Sequence, residues 1–230
     1  MGAMETIKIP VEDGTSLPAY LARPAVDPAP VGVIVAHEPF GVNPDIRGVA
    51  DDLAGAGFLT IAPEFYHRDA APGHWLERDD AGRQEGFGCL HRLRRDQALA
   101  DVSASLQWLK SEPGIEQVAM VGFSAGGHLS YLAAGRLPVS LTAVLYGGWL
   151  PSTDIPMSQP TPTLDLTPGI TGRIPLPGRR GRRADRRRAA GADPHRTGCR
   201  RRGPRTGQLP RGRARIFLAR HAALQPGGPG

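Results

Sequence analysis

Short apolar runs that alternate with longer helical patterns are the feature that most constrains the fold of this chain. The runs are VGVIVAHE (31–38), FLTIAPEFY (58–66), QVAMVGFS (117–124) and LTAVLYGG (141–148). Continuous apolar runs of this length are typical of strands buried on both faces of a parallel sheet. The helical patterns are NPDIRGVADDLAGAG (43–57), DQALADVSASLQWLKSEPG (96–114) and AGGHLSYLAAG (125–135). This alternation predicts an α/β domain with a mostly parallel sheet and helices on both faces.

Local signals refine this prediction near the start of the chain. In ETIKIPVEDGTSLPAYLARP (5–24), apolar residues alternate on both sides of the turn signal Asp13-Gly14, which predicts a β-hairpin. Asn43 and Pro44 are placed to cap and to begin the first helix. In the helix over 96–114, the spacing of Leu99, Val102, Leu106 and Leu109 predicts one apolar face.

The predicted strands also indicate where a ligand would bind. Open α/β sheets bind ligands outside the carboxyl ends of their strands. Glu38, Ser124 and the pair Gly147-Gly148 all fall at such ends. We therefore expect these residues to lie near any functional site.

The segment Gly122-Phe123-Ser124-Ala125-Gly126 has the Gly-x-Ser-x-Gly pattern between a predicted strand and a predicted helix. In this context the pattern is typical of a sharp turn that presents a serine nucleophile, with glycines leaving room for the neighbouring strand and helix. The Ala125 N–H, at the helix N-terminus, would then face a developing oxyanion. The alternative is a glycine-rich turn in which Ser124 only caps the helix.

Three segments together resemble the dienelactone hydrolase family: HEPFGVN (37–43), DLAGAGFLTIAPEFYHR (52–68) and the turn GFSAGG (122–127). The resemblance covers about residues 5–172 and implies an α/β-hydrolase fold that hydrolyses an ester or lactone without a cofactor. The family's nucleophile is commonly cysteine, so Ser124 indicates a serine-type relative. Glu38 matches the family glutamate beside the nucleophile; otherwise it would be a solvated loop carboxylate.

The resemblance also raises the question of which groups stabilise the oxyanion and bind the substrate. The second oxyanion donor of this fold comes from the loop after the third strand. Pro39, the residue after Glu38, has no N–H, so either Phe40 donates instead or the oxyanion hole is impaired. Arg83 is a weak match to the family's basic residue that receives a substrate carboxylate, and a plain surface arginine is the alternative.

The catalytic histidine is missing from its expected place. In this fold the chain order is nucleophile, acid, histidine. His67, His74 and His91 precede Ser124; His37 reads as local structure, and His128 lies on a face of the helix after the nucleophile. Beyond that helix only His195 and His221 remain, in an arginine-rich segment without a predicted strand before them.

Composition changes abruptly at the start of that segment. Residues 1–172 hold 11 lysines and arginines against 20 acidic residues, whereas residues 173–230 hold 17 arginines against two aspartates. The second segment contains 10 glycines, 7 prolines and Phe217 as its one phenylalanine, tyrosine or tryptophan. It has too little apolar area to offset the entropy of ordering. We predict an incomplete hydrolase domain over 1–172, lacking its last strands and helices, and a disordered or out-of-frame tail over 173–230.

The tail has the composition of a GC-rich gene read in the wrong frame. Regrouping the codons of LPRGRARIFL (209–218) one nucleotide later permits Tyr-Pro-Gly-Ala-Glu-His-Gly-Phe-Phe, which resembles the family's histidine segment. The same offset applied to IPLPGRRGRRAD (174–185) permits a strand ending in an aspartate, the usual place of the triad acid. The displaced histidine would fall across the codons of Ala214 and Arg215, and the displaced aspartate near Arg182 and Arg183.

Composition also bears on location and partners. The N-terminus has no signal-peptide pattern, no apolar run is long enough to span a membrane, and Cys89 and Cys199 fit no metal spacing. We therefore expect a cytoplasmic enzyme with a small ester or lactone substrate, no metal and no membrane partner. Two alternatives remain open: an inactive folded remnant, and a nucleic-acid binder that uses the arginine-rich tail. Since aromatic side chains for base stacking are lacking there, any nucleic-acid binding is expected to be adventitious.

Overall fold

The computed structural model describes residues 5–175. They belong to the first of two compact units, Met1–Arg179. Within this part of the chain the elements are β1 (Glu5–Pro10), β2 (Ser16–Ala22), β3 (Val31–Ala36), α1 (Pro44–Gly55), β4 (Leu59–Pro63), α2 (Asp80–Leu90), α3 (Arg95–Ser111), β5 (Gln117–Phe123), α4 (Ala125–Ala134), β6 (Leu141–Leu145), and 3₁₀ helices over Pro156–Ser158 and Thr163–Gly169.

The strands form one mixed sheet in the order β1-β2-β4-β3-β5-β6. β1 and β2 form the predicted hairpin, and β2 also runs antiparallel to β4. The pairs β3·β4, β3·β5 and β5·β6 are parallel. The predicted α/β fold with a mostly parallel sheet is therefore confirmed. β5, which leads into Ser124, lies between β3 and β6, so the carboxyl ends of all three strands are neighbours.

Helices cover both faces of the sheet. α1 packs on one face with Val35 and Phe123, while α3 and α4 pack on the other face with Ile34 and Met120. Neighbouring residues of β3 thus contribute to opposite layers, which explains why its sequence is apolar throughout. In α3, Val102, Leu106 and Leu109 are buried as predicted, whereas Leu99 is only partly buried.

Side chains cap the first two helices. The Asn43 side chain accepts a hydrogen bond from Ile46 N–H at 3.1 Å, so the predicted cap of α1 is confirmed. Asp79 caps α2 in the same way, through Gly82 N–H at 2.7 Å.

The sequence did not predict α2, because its glycines weaken both helix propensity and apolar periodicity. One of them, Gly86, has a packing role: a Cβ there would collide with the Pro39 carbonyl group.

The outer edge of β6 is partly paired. Arg173 forms a parallel bridge with Leu141. Its N–H donates to the Ser140 carbonyl oxygen at 3.0 Å, and its own carbonyl oxygen accepts from Thr142 N–H at 2.8 Å. Arg173, which the sequence assigned to the tail, thus extends the sheet by one residue beyond β6. The predicted tail residues from 176 onward lie outside the described residues.

No helix among the described residues is long and apolar enough to cross a membrane.

Gly122 lies at a close contact between β5 and α4. A Cβ at this position would collide with the Gly126 carbonyl group and with Ser130 Oγ, which itself donates to Gly126 O at 2.8 Å. We predict that Gly122→Ala lowers the free energy of unfolding by about 3 kcal/mol, because backbone has to move to admit the methyl group. Urea unfolding measures the change.

The matched control is Gly48→Ala, in the exposed part of α1, where a Cβ meets nothing within 4 Å. This substitution should raise stability by up to about 1 kcal/mol through helix propensity. Equal effects of the two substitutions would show that the β5–α4 junction is not tightly packed.

Candidate active site

Ser124 occupies a strained turn between β5 and α4. Its backbone has φ 53° and ψ −113°, a left-handed region that non-glycine residues rarely adopt. The Ser124 N–H donates to Leu145 O at 3.0 Å, and Ser124 O accepts from His128 N–H at 3.0 Å. Within the described residues the Ser124 side chain makes no capping hydrogen bond to α4. The cap interpretation is therefore wrong, and the hydroxyl lies at a strand carboxyl end, as the nucleophile interpretation requires.

The start of α4 and the turn after β3 hold the two predicted oxyanion donors, Ala125 and Phe40. Ala125 is the first residue of α4, so its N–H has no intrahelical acceptor. Phe40 lies in a turn closed by a hydrogen bond from Gly41 N–H to Glu38 O at 3.2 Å, with Pro39 as its second residue. The start of α4 touches the strand before this turn, because a Cβ at Gly126 would meet the carbonyl groups of Ala36 and His37.

Glu38 and Tyr146 bridge the carboxyl end of β5. The Tyr146 hydroxyl donates to Glu38 Oε1 at 2.9 Å. Glu38 follows β3 and Tyr146 follows β6, the two strands that flank β5. The hydrogen bond therefore passes over the end of the strand that carries Ser124. Burial, followed by the nearby Glu38 charge, raises the pKa of the Tyr146 hydroxyl, so it remains a donor at neutral pH.

Glu38 is not the solvated loop carboxylate that the sequence left open. It is 7% exposed, and its Oε2 atom forms an ion pair with the Arg78 guanidinium. Arg78 also pairs through Nε with Asp45 at 3.1 Å and lies 5.3 Å from the centre of the Phe40 ring. Arg78 thus connects the Glu38 turn to the first turn of α1.

Arg83 lies elsewhere. Its side chain is 59% exposed and pairs with Asp80, three residues earlier on α2, at 2.7 Å. Among the described contacts, none joins Arg83 to Ser124 or Glu38, so the structure does not bring it to this cluster. Its geometry agrees with the surface-arginine alternative.

His37 is buried next to the Glu38–Gly41 turn. Its Nδ1 is 2.7 Å from Glu38 O, and its Nε2 accepts from Phe65 N–H at 3.2 Å. These partners require a neutral ring that carries its proton on Nδ1. Burial lowers the pKa of His37 to about 4, because it disfavours the charged imidazolium. The structure agrees with the prediction that His37 is a local structural residue.

His128 is also unavailable as a base. Its Nδ1 lies 2.8 Å from Gly148 O, and its Nε2 lies 2.8 Å from Thr163 Oγ1. Both ring nitrogens are thus engaged with the segment after β6, and burial lowers the pKa of the ring. His128 holds that segment against α4.

The remaining described histidines have other environments. His67 Nε2 pairs with buried Asp101 at 3.3 Å, and His74 Nε2 pairs with Glu85 at 3.1 Å. His91 is exposed at the C-terminus of α2. Within residues 5–175, therefore, no hydrogen bond or ion pair links a histidine ring to the Ser124 hydroxyl. His195 and His221 lie outside the described residues, as do the displaced triad positions.

Sequence reasoning missed Tyr146 and Arg78. Tyr146 lies inside the run 141–148 that the sequence assigned to a strand, whereas the observed β6 ends at Leu145. Its place beside Gly147-Gly148, at the end of that run, could have identified it. Arg78 lies in an irregular segment before α2 and carries no comparable signal.

No group of three or more histidine, cysteine, aspartate or glutamate side chains in the described part of the chain is arranged to hold a metal ion.

Comparison with known proteins shows which family the chain resembles. The sequence model of the dienelactone hydrolase family matches residues 17–174 of this chain. The chain belongs to this family. The Klebsiella pneumoniae structure assigned as a dienelactone hydrolase is 27% identical and has a TM-score of 0.61; the match covers 75% of this chain and 71% of that one. The α/β-hydrolase fold and the hydrolase family that the sequence resemblance implied are thus confirmed.

Two sequence relatives extend the comparison. A Synechocystis protein assigned as a carboxymethylenebutenolidase is 37% identical over 144 residues, which are 60% of this chain and 58% of that protein. The carboxymethylenebutenolidase of Pseudomonas putida is 30% identical over 145 residues, covering 62% of this chain and 61% of that enzyme. The chain thus spans about three-fifths of the length of these relatives.

The lowered pKa of His37 predicts a pH-dependent stability. The unfolded chain binds a proton at this residue near pH 6.5, whereas the folded chain does so only near pH 4. The contribution to stability is therefore fully present above pH 6.5 and is lost as the pH falls toward 4. We expect it to amount to about 3 kcal/mol over this window.

The measurement is urea unfolding at several pH values between 7 and 4 for the native sequence and His37→Gln. The variant should lose about 3 kcal/mol less over this window. His91→Gln, which changes an exposed histidine, serves as the control and should follow the native sequence. Parallel curves for the native sequence and His37→Gln would contradict the assignment.

Proposed function

We propose that this chain carries the nucleophile-bearing part of a serine hydrolase that acts on a small ester or lactone by acyl transfer, without a cofactor. The observation that carries the proposal is the left-handed conformation of Ser124 at the junction of β5 and α4. A serine is held in such a strained turn where its hydroxyl has to project from the sheet. The name of the Pseudomonas putida relative, which hydrolyses a lactone, supports this substrate class.

The proposed reaction begins with attack of Ser124 Oγ on the carbonyl carbon. A histidine accepts the Oγ proton, and an aspartate orients that histidine. The carbonyl oxygen becomes an oxyanion that accepts hydrogen bonds from Ala125 N–H and Phe40 N–H. The tetrahedral intermediate expels the alcohol, which takes the proton from the histidine, and water then releases the acid from Ser124.

Glu38 is proposed to hold the Tyr146 side chain in place at this site. It is held on one side by Tyr146 and on the other by Arg78. A carboxylate held in this way keeps the Tyr146 ring extended over the end of β5. The substrate-binding role of Arg83 stays a prediction. The exposed ion pair between Arg83 and Asp80 argues against this role.

The base and the acid are proposed to be absent from the chain as written. The net charge changes sign at residue 173, and the family match ends at residue 174. The two positions lie within one residue of each other. They support the interpretation that the family's remaining segments are encoded downstream in another reading frame. The chain as written is then severely impaired, or is an inactive folded remnant.

The arginine-rich tail and the cytoplasmic location also remain proposals. The 17 arginines of residues 173–230 would bind phosphate adventitiously. A steep loss of nucleic-acid affinity with salt and little sequence preference would fit this interpretation.

The first functional prediction concerns Ser124 in the frame-restored protein. Ser124→Ala should lower turnover of a short-chain nitrophenyl ester by at least about 10⁴-fold, because the nucleophile and base act as a unit. The control is Ser105→Ala, which removes a hydroxyl that only bonds its own helix, at Asp101 O. Turnover that survives Ser124→Ala would refute the nucleophile assignment.

The second functional prediction compares the chain as written with its frame-restored version. The chain as written should hydrolyse the same ester at least about a thousandfold more slowly, because an unassisted serine hydroxyl is a poor nucleophile. The remaining oxyanion donors cannot compensate, since one such donor contributes about 3 kcal/mol. Comparable rates would place the base within residues 1–172.

A further inference from the structure

Resting on the proposed function, we propose that three residues position the Ser124 site by acting through one chain of hydrogen bonds. The residues are Arg95, Thr163 and His128. The chain ends on the carbonyl oxygen of Gly148, in the segment that follows β6, and it holds that segment against the start of α4.

The chemistry of the groups fixes the direction of every bond in this chain. A guanidinium can only donate, so Arg95 Nη2 donates to Thr163 Oγ1 at 3.3 Å. A carbonyl oxygen only accepts, so His128 Nδ1 donates to Gly148 O at 2.8 Å. The neutral ring has one N–H, and its Nε2 therefore accepts the Thr163 hydroxyl proton at 2.8 Å. Burial above all, together with the Arg95 charge, lowers the pKa of His128, in agreement with a neutral ring.

Burial makes each bond of this chain costly to lose. Thr163 and His128 are fully buried, and Arg95 is partly buried. Arg95 also donates to the carbonyl oxygens of Met157 at 2.9 Å and Thr161 at 2.7 Å, so all three of its described acceptors belong to residues 157–163. Removal of the Thr163 hydroxyl would leave His128 Nε2 buried without its donor, which costs more than the loss of an exposed hydrogen bond.

The segment that follows β6 contacts the proposed site in two places. Leu145 O, at the end of β6, accepts from Ser124 N–H at 3.0 Å. The Tyr146 hydroxyl donates to Glu38 Oε1 at 2.9 Å. A shift of this segment would therefore move groups on both sides of the strand end that carries the nucleophile.

The segment is closely packed and strained. A Cβ added at Gly127, in the first turn of α4, would lie 3.0 Å from Gly147 Cα. Tyr146 has φ 43°, a left-handed conformation that its surroundings have to maintain. The hydrogen bond from His128 to Gly148 O secures the end of the segment that lies away from β6.

Hydrogen exchange of the Ser124 amide tests the inference in the full chain as written. This N–H donates to Leu145 O, so its exchange rate reports how firmly the segment is held. Thr163→Val keeps the shape of the side chain and removes the donor to His128, and it should raise the exchange rate about tenfold. The amides of β3, in the middle of the sheet, should keep their native rates because the opening is local.

Matched variants separate this chain of bonds from a general loss of packing. Thr163→Ser keeps the hydroxyl and should restore native exchange at Ser124. Arg95→Met should raise the exchange rate, and its combination with Thr163→Val should add little, because both act through the same bonds. The control is Arg94→Met, which removes the neighbouring exposed arginine that pairs with Asp96 at 3.0 Å and should leave the rate unchanged.

Nitrogen NMR of the His128 ring gives an independent readout. At neutral pH, Nδ1 should give the signal of a protonated ring nitrogen and Nε2 that of an unprotonated one. The opposite tautomer would reverse the direction of the chain and overturn the inference.

A neutral phosphonofluoridate connects the chain of bonds to the proposed nucleophile. Ser124 Oγ forms a bond to phosphorus, fluoride leaves, and the hydroxyl proton passes to solvent; peptide mass spectrometry over many hours gives the rate. Thr163→Val should slow this labelling about tenfold, since small displacements of reacting groups cost one to two orders of magnitude in rate. Thr163→Ser should label at the native rate.

The outcomes separate the inference from its premise. Native exchange at Ser124 in Thr163→Val, equal increases at Ser124 and throughout β3, or fully additive effects of Arg95→Met and Thr163→Val would overturn the inference. Native labelling in Thr163→Val would overturn the positioning role and leave the proposed nucleophile in place. A native chain that is not labelled at Ser124 would overturn the proposed function and the positioning role with it.

Discussion

The left-handed backbone of Ser124 is the constraint on which the rest of the site depends. A non-glycine residue in this region costs about 1–3 kcal/mol, so its surroundings have to hold it there. The hydrogen bonds of Ser124 to Leu145 and His128 do this from the flanking strand and helix. Gly122 and Gly126 allow β5, α4 and β3 to approach closely enough for those bonds to form.

The same packing brings three strand ends together. β5 leads into Ser124, β3 leads into the turn that holds Glu38 and Phe40, and β6 leads into Tyr146. His37 secures the turn from behind, and His128 secures the segment after β6. Both histidines have lowered pKa values because they are buried as neutral hydrogen-bonding groups, so they contribute to the fold rather than to proton transfer.

Much of this arrangement could be predicted from the sequence. Buried strands and the turn at Ser124 follow from apolar runs and glycine spacing, which are local patterns. Arg78 and Tyr146 were missed because their roles arise from contacts between residues far apart in the chain. Arg83 was suggested only by a weak match to the family's basic residue, and its side chain on α2 is largely exposed to solvent. Arg173 pairs with β6 although the sequence assigned it to the tail. The backbone N–H and C=O groups of any residue can pair with the edge of a sheet, whatever side chain the residue carries.

The central claim is that Ser124, Ala125 and Phe40 form one acyl-transfer site. A crystal structure of the frame-restored protein after reaction with a neutral phosphonate tests it most directly. The account predicts phosphorus bonded to Ser124 Oγ, with the phosphoryl oxygen about 2.7–3.1 Å from the backbone nitrogens of Ala125 and Phe40. A phosphoryl oxygen directed toward solvent, or a phosphonate bonded to another residue, would contradict it.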